Sequence, residues 1–142
     1  MKLRVKRLSE VAILPQSAHE GDAGLDLCSV AEVEIAPGDR GLVSTGFAIE
    51  LPRGTEAEIR PRSGLALRHG VTVLNSPGTI DQGYRGEILV LLINHGKDTF
   101  RVSPGMKVAQ LIIRRRVSIE VIEVAALSLT KRGESGFGST DF

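Results

Sequence analysis

From Ala31 to Ile59 the chain reads AEVEIAPGDRGLVSTGFAIELPRGTEAEI, with Val, Ile and Thr alternating with polar residues. A period of two puts alternate side chains on one face of a strand, so this stretch predicts strands punctuated by Pro and Gly turns. Similar runs occupy 71–74, 86–94, 99–102, 107–113 and 117–124, and the turn formers NSPG, NHGKD and SPG separate them. The spacing predicts an all-β protein built as a sandwich or jelly roll. One short helical turn is expected where Leu65, Ala66 and Leu67 follow Pro61 in PRSGLALRHG. No internal repeat, heptad or linker interrupts the pattern before the Gly/Ser-rich end after Lys131. Residues 1–130 are therefore expected to form one β domain, and 131–142 a mobile C-terminal segment.

Composition narrows the class. With 42% hydrophobic and 25% charged residues, the 142-residue chain has a globular make-up. Its longest apolar run, ILVLLI at 88–93, is far short of the roughly 18 residues of a membrane span, so no membrane association is expected. A net charge of +1 is too balanced for a general nucleic-acid surface, and any anion must be bound locally. The one basic cluster, Arg114 to Arg116, reads as a solvated or interfacial strand end or as a phosphate contact. Cys28 is the only cysteine, which leaves no disulfide framework within one chain and suits a reducing cytoplasm. The basic start MKLRVKRLSE lacks the apolar stretch and cleavage site of a signal peptide. His19, His69 and His95 lie apart and there is no CxxC, so inner-shell zinc is not expected. GxSxG and Walker-type loops are absent.

Several stretches carry candidate chemistry. NSPGTIDQGYRGEILV reads as a hairpin in which Asn75 ends one strand, Pro77 and Gly78 open the turn, and Gly86 begins the next strand. Its tip is either a plain polar turn or a site. An inward-facing Asp81 beside Ile80 would be costly to bury unless paired or hydrated, and a carboxylate beside water is equipment for a general base. Tyr84, the only tyrosine, can serve as a platform for a sugar or base. In RPRSGLA, Arg62, Ser63 and Gly64 form either an ordinary turn or an anion cradle. Asp26, between two leucines in AGLDL, suits a buried, backbone-bonded structural acid. Gln110 interrupts KVAQLII, where a cross-strand amide pair would explain it equally well. The tail KRGESGFGSTDF is either a frayed end or a phosphate-closing lid, with Arg132 beside glycines and Phe137 free to stack on a base.

Taken in order, AGLDL, PRSGLA, NSPGTIDQGYRGEI, KVAQLII and RGESGFGST resemble the five motifs of the trimeric dUTP pyrophosphatase (dUTPase) family, from Ala23 to Thr140. Any one motif is weak; the ordered set is specific. The resemblance implies a jelly-roll-like (β-clip) protomer of a homotrimer, with three active sites at subunit interfaces. It also implies Mg²⁺-dependent hydrolysis of dUTP to dUMP and pyrophosphate, which keeps uracil out of DNA and supplies dUMP for thymidylate synthesis. By position, Asp81 matches the general base that activates the water attacking the α-phosphorus. Arg62, Ser63 and Gly64 match phosphate contacts, and Asp26 and Gln110 match partners that reach Mg²⁺ through water. Asn75 and the backbone at Thr79, Ile80 and Leu89 resemble the uracil-reading hairpin, and Tyr84 the ring that excludes a 2′-OH. Arg132 resembles the γ-phosphate contact and Phe137 the aromatic lid over uracil, with Gly138 and Ser139 beside it in the same motif. Ser135 and Asp141 stand where many members have glycine, which bears on how tightly the tail orders. The alternatives are a dCTP deaminase-like enzyme of the same superfamily and a non-catalytic nucleotide-binding regulatory trimer.

Overall fold

The computed structural model describes residues 1–136, and its regular structure is antiparallel β apart from one short helix. In chain order the elements are β1 (Arg4–Arg7), β2 (Leu25–Cys28), β3 (Val33–Ile35), β4 (Arg40–Glu50), β5 (Thr55–Arg60), α1 (Ser63–His69), β6 (Val71–Val73), β7 (Gly78–Ile80), β8 (Glu87–Asn94), β9 (Phe100–Val102) and β10 (Lys107–Arg115). One sheet has the order β1-β4-β8-β6 and a second the order β2-β10-β5-β7, while β3 pairs with β9. The all-β expectation holds, and the helical turn expected near Leu65 is α1. The strands β1, β2 and β7 were not among the expected runs.

Alternation explains how the sheets share a core. Along β8 every second residue is buried, from Ile88 to Asn94, and β5 buries Thr55, Ala57 and Ile59. The apolar ones among them join Leu27, Phe47, Val108 and Leu111 in one cluster fed by both sheets. Each fully buried side chain of this size contributes about 1.5–3 kcal/mol.

Two irregularities place the functional residues. The register of β4 on β8 shifts between Ser44 and Ala48, so Thr45, Gly46 and Phe47 face Ile88 alone. Gly46 takes φ +73° there, and its N–H donates to the Glu87 carboxylate at 2.8 Å. The second irregularity is the connection from β6 to β8. These two strands pair directly, yet residues 78–80 between them leave to pair with β5 in the other sheet. Gly78 thus begins β7 and does not sit in a turn with Pro77, as the hairpin pattern had suggested.

The run 117–124 forms no strand. Val117, Ile119, Val121, Ile122 and Val124 are all exposed, and the exposure continues through Leu127 and Leu129. Its alternation is strand-like, but a strand requires a partner for its N–H and C=O groups, and among the described residues no edge pairs with it.

Candidate active site

Two depressions carry the chemistry. The first, a cleft of about 390 Å³, is lined by Asp26, Arg62, Ser63, Gly64, Arg68 and Gln110 among others. Strand β10 builds it, because its register sets Gln110 opposite Asp26 of β2 on one side and Arg60 of β5 on the other. The chain then leaves β5 through Pro61 into α1, and the Gln110 amide donates to the Pro61 carbonyl at 2.9 Å. Gln110 therefore pins the Arg62–Gly64 turn by a backbone carbonyl, not by the cross-strand amide pair that the sequence allowed. A β carbon at Gly24 would lie 2.3 Å from Gln110 Oε1, so the amide keeps this position only opposite a glycine and would have to turn aside from a larger residue.

Asp26 is largely but not fully buried, and it is held by cations, not by the backbone amides expected of it. Its side chain is 13% exposed, with Oδ2 at 2.6 Å from Lys107 Nζ and Oδ1 at 3.7 Å from Arg62 Nε. Oδ2 accepts no well-directed hydrogen bond, so the short Lys107 contact is one of charge more than of direction. Arg62 Nη1 also donates to the Lys107 carbonyl at 3.1 Å. Nearby, burial and then the Asp26 charge push the Cys28 thiol above its ordinary range, leaving it protonated and unreactive.

The second depression, about 160 Å³, is lined by Thr79, Ile80, Asp81, Tyr84, Glu87 and Leu89. Asp81 follows β7 and is exposed, so its carboxylate is open to water and carries no burial cost. Its carbonyl accepts from Tyr84 N at 3.0 Å and closes the turn. The Tyr84 ring lies over Gly86, and its hydroxyl donates to the Glu87 carbonyl at 3.0 Å. Gly54 N donates to Gln82 Oε1 at 2.7 Å and docks the tip on the β4–β5 turn. Asn75 is exposed, its amide nitrogen 3.2 Å from where a Gly78 β carbon would stand.

The two depressions share no lining residue, and β5 runs between the strands that carry them. One chain therefore assembles the Arg62 turn with Asp26 and Gln110, and separately Asp81 with Tyr84, Thr79, Ile80 and Leu89. Arg132 belongs to neither, since its Nε donates to the Ser135 carbonyl at 3.0 Å within the tail. Phe137, Gly138 and Ser139, with Thr140 and Asp141, lie outside the described residues.

Sequence reasoning missed Lys107 and Glu87. In a regular strand Lys107 and Gln110 point to opposite faces, but the register of β10 on β2 slips between Lys107 and Ala109 and brings Lys107 round to Asp26. Glu87 was not singled out in the sequence; its carboxylate accepts from the Gly46 N–H at 2.8 Å and so ties β8 to the bulge of β4.

Among the described residues no group of three His, Cys, Asp or Glu side chains could grip an ion directly. The cleft does offer carboxylate and amide oxygens from Asp26 and Gln110. With Lys107 and Arg62 already against Asp26, that set fits a Mg²⁺ reached through its own waters better than one bound directly.

The dUTPase family matches residues 10–141. The chain is 60% identical over 140 residues to the deoxyuridine 5′-triphosphate nucleotidohydrolase of Gloeothece citriformis, covering 99% of this chain and 97% of that one. Among solved structures it is similar to the dUTPase of Staphylococcus bacteriophage 80alpha with dUPNHPP, at 26% identity over 99% of both chains and a TM-score of 0.90. It is also similar to a mutant dUTPase from phage phi11 of S. aureus, described for the coordination of a structural Mg(II) ion. That likeness is 25% in identity, covers 89% of this chain and 98% of the other, and has a TM-score of 0.83.

Proposed function

The chain belongs to the dUTPase family, and from that premise we propose that it hydrolyses dUTP to dUMP and pyrophosphate with Asp81 as general base. The observation that carries this reading is Asp81 itself: a hydrated carboxylate at the end of β7, in the same depression as Tyr84 and the strand backbone of Thr79 and Leu89. Asp81 orients a water and takes its proton as the water oxygen bonds to the α-phosphorus. The bond from that phosphorus to the bridging oxygen breaks, and pyrophosphate leaves with the electron pair.

The remaining residues bind and select. Asn75 and the backbone at Thr79, Ile80 and Leu89 read uracil, because cytosine would leave fixed donors and acceptors unpaired. Tyr84 packs on deoxyribose and leaves no space for a 2′-OH. Arg62, Ser63 and Gly64 hold phosphate oxygens. Asp26 and Gln110 would hold a Mg²⁺ through its waters, and the ion would supply charge neutralisation for the phosphates. Residues 1–130 act as the catalytic β domain and 131–142 as its lid, with Arg132 on the γ-phosphate and Phe137, Gly138 and Ser139 over the nucleotide.

The working unit is a homotrimer in which the hairpin of one subunit faces the phosphate cradle of another. Two features support this: the depressions are separate within one chain, and the arm from Val117 to Leu129 exposes apolar side chains that a neighbour would cover. Pyrophosphate release should be seen with dUTP and not with UTP or dCTP; equal release from dCTP would sink the uracil assignment. Mixing subunits that lack Asp81 with subunits that lack Arg62 should restore activity that neither has alone. A mixture as dead as its parts would place the whole site within one subunit.

A further inference from the structure

We propose that Lys107 is a positioning residue for phosphate binding: its ammonium neutralises Asp26, so that the Arg62 guanidinium keeps its charge for the nucleotide. This rests on the nucleotide reading of the cleft. Asp26 is a largely buried carboxylate with two cations against it, Lys107 on Oδ2 at 2.6 Å and Arg62 Nε at 3.7 Å from Oδ1. Coulomb attraction falls with distance, so Lys107 is the nearer and dominant partner and Arg62 the looser one. The other acid lining the cleft, Asp22, accepts from the His19 N–H at 2.9 Å.

Removing the ammonium would leave a buried carboxylate whose nearest cation is Arg62. An unpaired buried charge is costly, so Asp26 would draw the guanidinium in. The trio's charge would also fall from +1 to zero. Both changes weaken the hold on an anion. The Lys107 carbonyl, which accepts from Arg62 Nη1, survives any side-chain substitution. A Lys107 variant therefore changes the charge balance while leaving the backbone anchor of Arg62 in place. The Lys107 side chain is 42% exposed, so replacing its ammonium opens no enclosed cavity.

The test measures binding of dUPNHPP and of deoxyuridine in metal-free buffer with chelator, which keeps any effect on Mg²⁺ out of the result. Lys107→Met should weaken dUPNHPP about tenfold, the loss of one favourable charge contact, and leave deoxyuridine unchanged. Lys107→Arg should recover affinity to within about threefold, because it restores charge without restoring shape. Lys107→Gln serves as a second neutral variant, and deoxyuridine binding reports that the hairpin is folded. Unchanged dUPNHPP affinity in the neutral variants would overturn the proposal. So would an equal loss for deoxyuridine, or an Arg variant as weak as the Met variant. An unaltered chain that bound neither ligand would overturn the nucleotide reading itself, a result distinct from all of these.

Discussion

The cleft around Arg62 and the hairpin around Asp81 lie on either side of β5, and they are built from different materials. The cleft is organised by side chains: Lys107 on Asp26, Arg62 on the Lys107 carbonyl, Gln110 on the Pro61 carbonyl. The hairpin is organised by main chain: β7 in register with β5, the Asp81–Tyr84 turn, and a Glu87 carbonyl that fixes the Tyr84 ring. Side-chain charge can be retuned one residue at a time and responds to salt. Main-chain geometry is indifferent to most substitutions but fails altogether when register slips. A triphosphate, which is flexible and highly charged, suits the first kind of site, and a flat base with a fixed donor and acceptor pattern suits the second.

The comparison breaks most sharply at Asp81, the one hairpin residue whose side chain is asked to do chemistry. Asp81→Asn should lower turnover by about a thousandfold, within the range of general-base contributions, while dUPNHPP affinity stays within a few-fold. Near-normal pyrophosphate release would remove Asp81 from its role. On the cleft side, Gly24→Ala puts a carbon where Gln110 Oε1 now sits and pushes the amide off Pro61. Loss of that hydrogen bond should reduce kcat/KM for dUTP by roughly tenfold and leave deoxyuridine affinity unaltered, and a matching fall in both would show that the two regions are not separable. Tyr84→Ala should narrow the dUTP/UTP ratio of kcat/KM by several-fold, and a fixed ratio would mean the ring is not the sugar gate.

The smallest effect belongs to Glu58 on β5, the strand that both regions share. A hydrogen bond from Arg60, then the Arg60 and Arg114 charges, hold its carboxyl below the usual glutamate range. A lowered folded-state value means that the stabilisation is present above the ordinary glutamate pKa and is lost as pH falls through the folded one. Glu58→Gln should therefore lower Tm slightly at neutral pH and converge on the parent as pH falls through the lowered carboxyl value. A difference that persisted in acid would point to packing instead of charge.

Sequence and structure agree where local chemistry decides. Alternation located β3 to β6 and β8 to β10, and Pro61 followed by SGLA announced α1. They part where a partner or an irregularity decides. Residues 117–124 alternate as β8 does, yet a periodic pattern cannot supply the strand to pair with. Lys107 was hidden because a bulge overturns the period of two that pattern reading assumes. Asp81 was recognisable by its motif, but its exposure depends on β7 leaving one sheet for the other, which no local signal announces.

The missing β carbon at Gly24 also has a history in it. While Gln110 is in place, a larger residue at 24 meets the end of its side chain, so a first change at 24 must turn the amide aside. The same change made after the residue at 110 has shortened displaces nothing there. The cost of one exchange thus depends on whether the other came first, even though 86 positions of sequence separate them.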